Sequence, residues 1–308
     1  MWSEYSKELL GTTVGDHPFH FIPSASGLVS SMLPWITILR PLNLLQAAMA
    51  VVLTTAFLGE LEQVNTLLLL VISVMLATGA GNVINDIFDI EIDKVNRPDR
   101  PLPSGTITLR GARIYTALMF TVGVTLAALI SMNNLIIAGP ISVTLLYAYS
   151  AWFKRLPFIG NLTVSFMMGL AFIYVGVAFG NIQATLVMAA LAFGFTFIRE
   201  IVKDLEDMDG DARNDARTLP LVWGEQKTLF LVLFMMAAFV VLDLLPYVLG
   251  VYNQVYLWMV ILGINLPLLV FAFIMWKQPE KKNYSRVQLF LKLDIFVGLA
   301  ALYFGQTL

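Results

Sequence analysis

Long apolar segments alternate with short polar links along the 308 residues of the chain. A helix needs about 20 consecutive apolar residues to cross a hydrocarbon layer about 30 Å thick. Nine segments approach or exceed that length, and we predict one membrane-spanning helix in each of 32–58, 65–84, 111–131, 134–152, 160–180, 182–200, 228–248, 252–276 and 287–306. The pattern therefore predicts an all-α, polytopic membrane protein built as a bundle of nine transmembrane helices.

Composition supports this prediction and limits the chemistry. Hydrophobic residues make up 58% of the chain and charged residues only 13%, whereas soluble domains carry about 25% charged residues. The absence of cysteine excludes disulfides and thiolate metal ligands. Residues 1–30 are polar and lack the apolar centre of a cleaved signal, so we predict a polar N-terminal tail followed by one transmembrane domain, 31–308. No nucleic-acid partner is predicted.

The 19 Lys and Arg residues are distributed on one side of the predicted bundle. They lie near the N-terminus and around the links that follow the second, fourth, sixth and eighth segments. The other links and the C-terminal end contain none: 59–64, 132–133, 181 and 249–251. Cytoplasmic loops of membrane proteins are enriched in these residues, so we predict a cytoplasmic N-terminus, cytoplasmic even-numbered links that cap the bundle, and an external C-terminus.

Two acidic segments on the predicted cytoplasmic side hold twelve of the 21 Asp and Glu residues. Each contains the spacing D-x2-D-x3-D, in residues 86–93 and again in residues 204–211. At about 100° per residue, such a trio occupies one stripe of a helix. Four apolar segments lie between the two trios, which predicts two parallel four-helix repeats, 31–152 and 160–276, followed by a ninth helix at 287–306.

Facing carboxylates repel each other unless a cation lies between them. Mg²⁺ prefers oxygen ligands and is commonly shared between one or two carboxylates and the phosphates of a substrate. Two acidic stripes with Lys and Arg close by therefore predict a magnesium-dependent diphosphate site at the cytoplasmic end of the bundle.

The motifs resemble those of UbiA-type intramembrane prenyltransferases. Asn85, Asp89 and Asp93 form the motif N-x3-D-x3-D, and Asp207 and Asp211 form the second motif, D-x3-D. The strings "RPDRPLPSG", "LRPLN" and "YSAWFKRLPFIGN" are also similar to the family's sequences. Within the family, "KDLEDMDGD" together with "FKRLPFIGN" is most similar to digeranylgeranylglyceryl phosphate synthases of archaeal ether-lipid synthesis.

This resemblance implies Mg²⁺-dependent transfer of a geranylgeranyl group from its diphosphate to the hydroxyl of geranylgeranylglyceryl phosphate. It implies metal ligands among Asn85, Asp86, Asp89, Asp93, Asp204, Asp207 and Asp211, of which Asp89, Asp207 and Asp211 are the expected catalytic residues. The candidates for binding the diphosphate are Arg97, Lys154 and Lys203. The candidates for binding the acceptor or screening a carbocation are Arg40, Asn43, Arg100, Tyr149 and Arg155.

Three alternatives remain open at this stage. The same fold could prenylate an aromatic acceptor, such as a quinone, haem or chlorophyll precursor. A secondary transporter would place its acids at the bilayer midplane, on helices broken by Gly or Pro, whereas both acidic segments lie at helix ends. A CDP-alcohol phosphotransferase motif is only partly matched by "DGDAR" at 209–213. Asp243 and Asp294, which lie inside apolar segments, are left out of the predicted site.

Overall fold

The computed structural model describes residues 32–213 and 216–306, and within them the regular secondary structure is helical throughout. The predicted tail, 1–30, lies outside the described residues. Nine apolar helices follow one another along the chain: α1 (Pro41–Phe57), α2 (Val64–Phe88), α3 (Leu109–Ile130), α4 (Met132–Ala151), α5 (Ile159–Ala178), α6 (Ile182–Arg213), α7 (Glu225–Val248), α8 (Gln254–Lys277) and α9 (Lys281–Phe304).

Within the described ranges, α2 to α9 are the eight helices long and apolar enough to cross a membrane, and α1 is a shorter apolar helix. The predicted all-α polytopic fold is confirmed. Short helical turns occupy the polar links, at Ile90–Asn96, Phe153–Arg155 and Leu219–Trp223.

The first and sixth helices differ from the predicted apolar segments. The segment 32–58 is interrupted, because Arg40 has a left-handed backbone (φ 56°) and Pro41 then starts α1. Pro has no N–H to donate, so a helix readily begins there but does not run through it. The helix α6 continues to Arg213, well beyond the end of its apolar segment at 200, and carries the second acidic segment as regular helix.

Two helices contain π-helical stretches, Ile137–Val143 in α4 and Val260–Asn265 in α8. The first contains Pro140, and Pro267 follows the second. The helices α4 and α8 are the fourth helices of the two predicted repeats. The repeat itself stays a prediction, since its two halves share little sequence apart from the acidic segments.

Close helix packing brings the two acidic segments to one end of the bundle. The helix α6 packs against α5, α7 and α9, while α2 packs against α1 and α3. Between α5 and α6 the backbones approach so closely that a Cβ atom on Gly169 would lie 2.9 Å from the carbonyl oxygen of Ala189. Small residues permit such contacts in membrane bundles, where van der Waals packing drives helix association.

Candidate active site

A polar cavity of about 460 Å³ opens where the acidic segments meet. Of the fifteen residues predicted from the sequence, thirteen line it: Arg40, Asn85, Asp89, Asp93, Arg97, Arg100, Tyr149, Lys154, Arg155, Lys203, Asp204, Asp207 and Asp211. The other two, Asp86 and Asn43, lie outside its wall. Residues more than 100 positions apart in sequence thus form one site.

The first acidic segment keeps its three motif residues on one side although the helix is interrupted. The helix α2 ends at Phe88, and Asp89 leaves helical geometry before the turn Ile90–Asn96 begins. Hydrogen bonds of the helical kind still cross this point, because the Asp89 N–H donates to the Asn85 carbonyl at 3.0 Å and the Asp93 N–H to the Asp89 carbonyl at 2.8 Å. Asn85, Asp89 and Asp93 therefore face the cavity together.

Basic side chains contact both carboxylates of this motif. Lys154 donates to Asp89 at 2.5 Å and to the amide oxygen of Asn85 at 3.2 Å. Arg100 donates to Asp93 at 2.6 Å. Each of these contacts offsets the repulsion between neighbouring carboxylates.

Asp86 is buried behind the cavity rather than in its wall, with 3% of its surface exposed. It accepts hydrogen bonds from Arg40 at 2.5 Å and from Arg100 at 3.4 Å. Both arginines line the cavity. Asp86, predicted to be in the metal-ligand set, therefore orients two arginines that face the site. Asn43 is half-buried one turn beyond Arg40, and its N–H donates to the Arg40 carbonyl at 2.9 Å.

Lys154 is positioned by the tight packing of its short turn against the start of α5. A Cβ atom on Gly160 would lie 2.8 Å from the Phe153 carbonyl oxygen and 3.0 Å from the Lys154 Cα, so a larger residue would displace the turn. The Arg217 N–H also donates to the Arg155 carbonyl at 2.9 Å. Burial lowers the pKa of Lys154, and the adjacent Asp89 carboxylate opposes that shift.

The second acidic segment is a continuous helical stripe. Asp204, Asp207 and Asp211 all line the cavity from α6. Asn161, at the start of α5, donates to Asp204 at 2.9 Å, which fixes this carboxylate across the interface between the two helices.

Sequence reasoning missed four polar residues of the cavity wall: Asn161, Glu200, Thr218 and Lys281. Asn161 lies in "YSAWFKRLPFIGN", so a signal for it was present in the chain. Glu200 also lines the cavity and pairs with Arg199 at 3.0 Å and with Lys203 at 3.8 Å. Its position one turn before Asp204 placed it on the acidic stripe, but the motif spacing did not single it out.

Tyr147, in contrast to Tyr149, lies outside the cavity and packs edge-on against Phe88 and Trp152.

The donor set fits Mg²⁺ shared with a phosphate ligand. Carboxylate and amide oxygens from both acidic segments line a single cavity, and these are the ligands Mg²⁺ prefers. Within the described part of the chain, no three acidic or histidine side chains are close enough to hold a metal ion by themselves. Mg²⁺ commonly uses only one or two carboxylates and completes its shell with phosphate oxygens and water, so this spacing suits a metal–diphosphate complex.

The chain is similar to known membrane prenyltransferases over most of its length. The family model described as UbiA prenyltransferase family matches residues 44–293. The chain is 41% identical over 223 residues to the digeranylgeranylglyceryl phosphate synthase of Natronomonas pharaonis, covering 72% of this chain and 80% of that protein. It is 34% identical over 275 residues to the synthase of the same name from Methanosphaera stadtmanae, covering 89% of this chain and 99% of that protein.

Solved structures show the same fold. A structure described as giving insights into digeranylgeranylglyceryl phosphate synthase in membranes has a TM-score of 0.74 and 32% identity, and covers 90% of this chain and 98% of its own. A UbiA homolog from Archaeoglobus fulgidus bound to DMAPP and Mg²⁺ has a TM-score of 0.65 and 20% identity, and covers 87% of this chain and 98% of its own.

Proposed function

Because the chain belongs to the UbiA prenyltransferase family, we propose that it transfers a geranylgeranyl group from its diphosphate to the hydroxyl of geranylgeranylglyceryl phosphate. The observation that carries this proposal is the single cavity in which two acidic segments meet Lys154, Arg97 and Lys203. A wall of this kind complements a diphosphate bound with a divalent cation. A relative named digeranylgeranylglyceryl phosphate synthase is 34% identical to the chain over 89% of its length, and this similarity supports the choice of acceptor.

We assign the metal to Asn85, Asp89, Asp93, Asp207 and Asp211, with Asp204 held beside them by Asn161. Mg²⁺, when bound, neutralises charge on the diphosphate as it leaves. Lys154, Lys203 and Arg97 lie where they can donate to the same oxygens, so they stabilise the charge that develops as the allylic C–O bond breaks. Tyr149, which lines the same cavity, is assigned to screen the allylic cation. The acceptor oxygen then forms its bond to the allylic carbon and gives its proton to the departing diphosphate.

The acceptor phosphate is assigned to Arg40, Arg100 and Arg155. All three line the cavity. Their positive charges are additional to those of Arg97, Lys154 and Lys203, which are assigned to the diphosphate. Purified protein incubated with labelled geranylgeranyl diphosphate and a panel of acceptors tests the proposal. Turnover of 4-hydroxybenzoate without turnover of geranylgeranylglyceryl phosphate would favour the aromatic alternative and reject this acceptor.

Arg40→Ala is expected to raise the acceptor KM about tenfold and to change the KM for geranylgeranyl diphosphate much less. A charge-assisted contact to phosphate contributes about 1.5–3 kcal/mol, which corresponds to tenfold or more in affinity. Arg40→Lys keeps the charge, so its acceptor KM should lie between those of the wild type and Arg40→Ala. Arg110→Ala, an exposed arginine at the start of α3, is the matched control and should leave both KM values unchanged. Equal increases in both KM values would remove Arg40 from the acceptor site.

We further propose that the cavity faces the cytoplasm and that the C-terminus lies outside. All 19 Lys and Arg residues lie near the N-terminus or around the even-numbered links, which supports this orientation. A cysteine introduced at Ser104 should react with an impermeant thiol reagent only after the membrane is opened, and one at Leu308 should react in intact cells. The parent chain contains no cysteine, so each label reports one site. Equal labelling of both positions in intact cells would reject the topology.

A further inference from the structure

Four basic side chains lie close together where α6, α9 and the start of α1 meet. Arg40 precedes α1, Arg199 and Lys203 belong to α6, and Lys292 belongs to α9, which packs against both of these helices. The positive charge of Lys292 is repelled by the charges of the other three. We call these four residues the basic cluster. The reaction described above assigns no role to Arg199 or Lys292.

Lys292 lies deep in the bundle and not at the end of its helix. It is eleven residues beyond the start of α9 at Lys281, about 16 Å along the axis at a rise of about 1.5 Å per residue. The side-chain amide of Gln46, on α1, donates to the Lys292 carbonyl at 2.7 Å and holds the two helices together at this point. A charged residue at such a depth is costly unless it faces an anion or water.

No acidic residue pairs with Lys292 in the part of the chain that the structure describes. None of the ion pairs within 4 Å among those residues includes it. Asp294 is the nearest acid in sequence, but neither of its carboxylate oxygens has a hydrogen-bond partner within the described ranges. A lysine inside a membrane domain that lacks a protein partner indicates a ligand that supplies the negative charge.

The acids that contact the basic cluster leave positive charge in excess. Glu200 pairs with Arg199 at 3.0 Å and with Lys203 at 3.8 Å, and Asp86 pairs with Arg40 at 2.5 Å. The buried Nε of Arg199 has no hydrogen-bond partner among the described residues. Four bases against two carboxylates leave an excess of two positive charges. A phosphate monoester carries a charge of about −1.5 to −2 at pH 7, so one such group would neutralise the cluster.

The basic cluster lies between two cavities of different character. Arg40 and Lys203 line the polar active-site cavity. Gln46, which holds Lys292, and Thr196, one turn before Arg199, line a second cavity of about 80 Å³ whose wall is mostly aliphatic and aromatic. A phosphate group attached to an apolar chain matches this border better than free phosphate does, because each part of it meets a surface of its own kind.

We propose that Lys292 and Arg199, together with Arg40, bind the phosphate of the lipid acceptor and make the protein selective for a phosphorylated acceptor. This inference rests on the acceptor proposed above, and it adds one residue each from α6 and α9 to that site. Guanidinium and ammonium groups form charge-assisted hydrogen bonds with phosphate oxygens, which are stronger than bonds between neutral groups.

Steady-state kinetics with geranylgeranylglyceryl phosphate and with geranylgeranylglycerol, the same acceptor without its phosphate, test the assignment. Lys292→Met and Arg199→Gln should each raise the KM for the phosphorylated acceptor about tenfold, because each removes one charge-assisted contact. The KM values for geranylgeranylglycerol and for geranylgeranyl diphosphate should not change. Lys292→Arg keeps the charge and should restore most of the affinity. Lys282→Met, which alters an exposed lysine at the start of α9, is the matched control and should behave as wild type.

Binding of labelled geranylgeranylglyceryl phosphate to the full chain in lipid nanodiscs, with EDTA present and without the prenyl diphosphate, gives a second measurement that does not depend on turnover. The wild type and Lys282→Met should bind the lipid saturably, and Lys292→Met should bind it about tenfold more weakly.

The outcomes separate this inference from the proposed function. If the wild type turns over the phosphorylated acceptor and both Lys292→Met and Arg199→Gln retain its KM, the inference is overturned and the proposed function stands. Equal increases in KM for both acceptors would show that the two residues support the packing of α6 and α9 and not a phosphate contact, which also overturns it. No turnover of the phosphorylated acceptor by the wild type would reject the proposed function, and the inference with it.

Discussion

Asp89→Ala and Asp207→Ala are each expected to reduce prenyl transfer to less than about a tenth of the wild-type rate. Each substitution removes one of the oxygen ligands proposed for the metal, and the two residues belong to different walls of the active-site cavity. A tenfold loss corresponds to about 1.4 kcal/mol of transition-state stabilisation, and removal of a metal ligand should exceed it. Single-turnover rates of prenyl transfer, measured at saturating Mg²⁺ and geranylgeranyl diphosphate, compare each variant with the wild type.

Matched controls come from the same two acidic segments. Asp99→Ala removes an exposed acid beyond the first motif, and Asp209→Ala removes one that is exposed on α6 beside Lys281. Both should remain within about twofold of wild type, since surface ion pairs contribute about 0–1 kcal/mol. Circular dichroism and the unfolding midpoint establish that all four variants are folded. A folded Asp89→Ala or Asp207→Ala variant that retained more than a tenth of the rate would contradict the two-walled metal site.

Lys154→Ala is expected to lower kcat about 100-fold or more. The Lys154 side chain is 12% exposed and donates to both Asp89 and Asn85, so its charge lies among the assigned metal ligands. Loss of one preorganised donor to a developing anion typically costs about 100- to 1,000-fold in rate. Steady-state kinetics for both substrates, with pyrophosphate as a competitive inhibitor, measure the effect on turnover and on diphosphate binding separately.

Lys94→Ala is the matched control for Lys154, because Lys94 lies on the exposed side of the Ile90–Asn96 turn and pairs only with Glu91 at the surface among the described residues. It should leave kcat and pyrophosphate inhibition unchanged. Lys154→Arg keeps the charge and should recover part of the rate. Wild-type kcat in Lys154→Ala, or no recovery with arginine together with unchanged pyrophosphate inhibition, would show that Lys154 only supports the fold of its turn.

The helices and the motif residues were predictable because their signals are local. Apolar length predicts a membrane-spanning helix without reference to its neighbours, and α2 to α9 follow the predicted segments to within a few residues at most ends. The spacing of Asp204, Asp207 and Asp211 requires only helical geometry, and α6 supplies it as far as Arg213. The interruption at Asp89 was not predicted, since the apolar and acidic pattern continues through it.

Contacts between helices were decided by the tertiary structure alone. The acidic stripe contains Asp86 alongside Asp89, but the approach of Arg40 and Arg100 places Asp86 behind the cavity. Asn161 reaches Asp204 because α5 packs closely against α6. Hydropathy and motif spacing determined which residues are helical and which are polar in this protein. Which polar side chains meet depended on the distance and rotation between packed helices, and neither is encoded within a single segment.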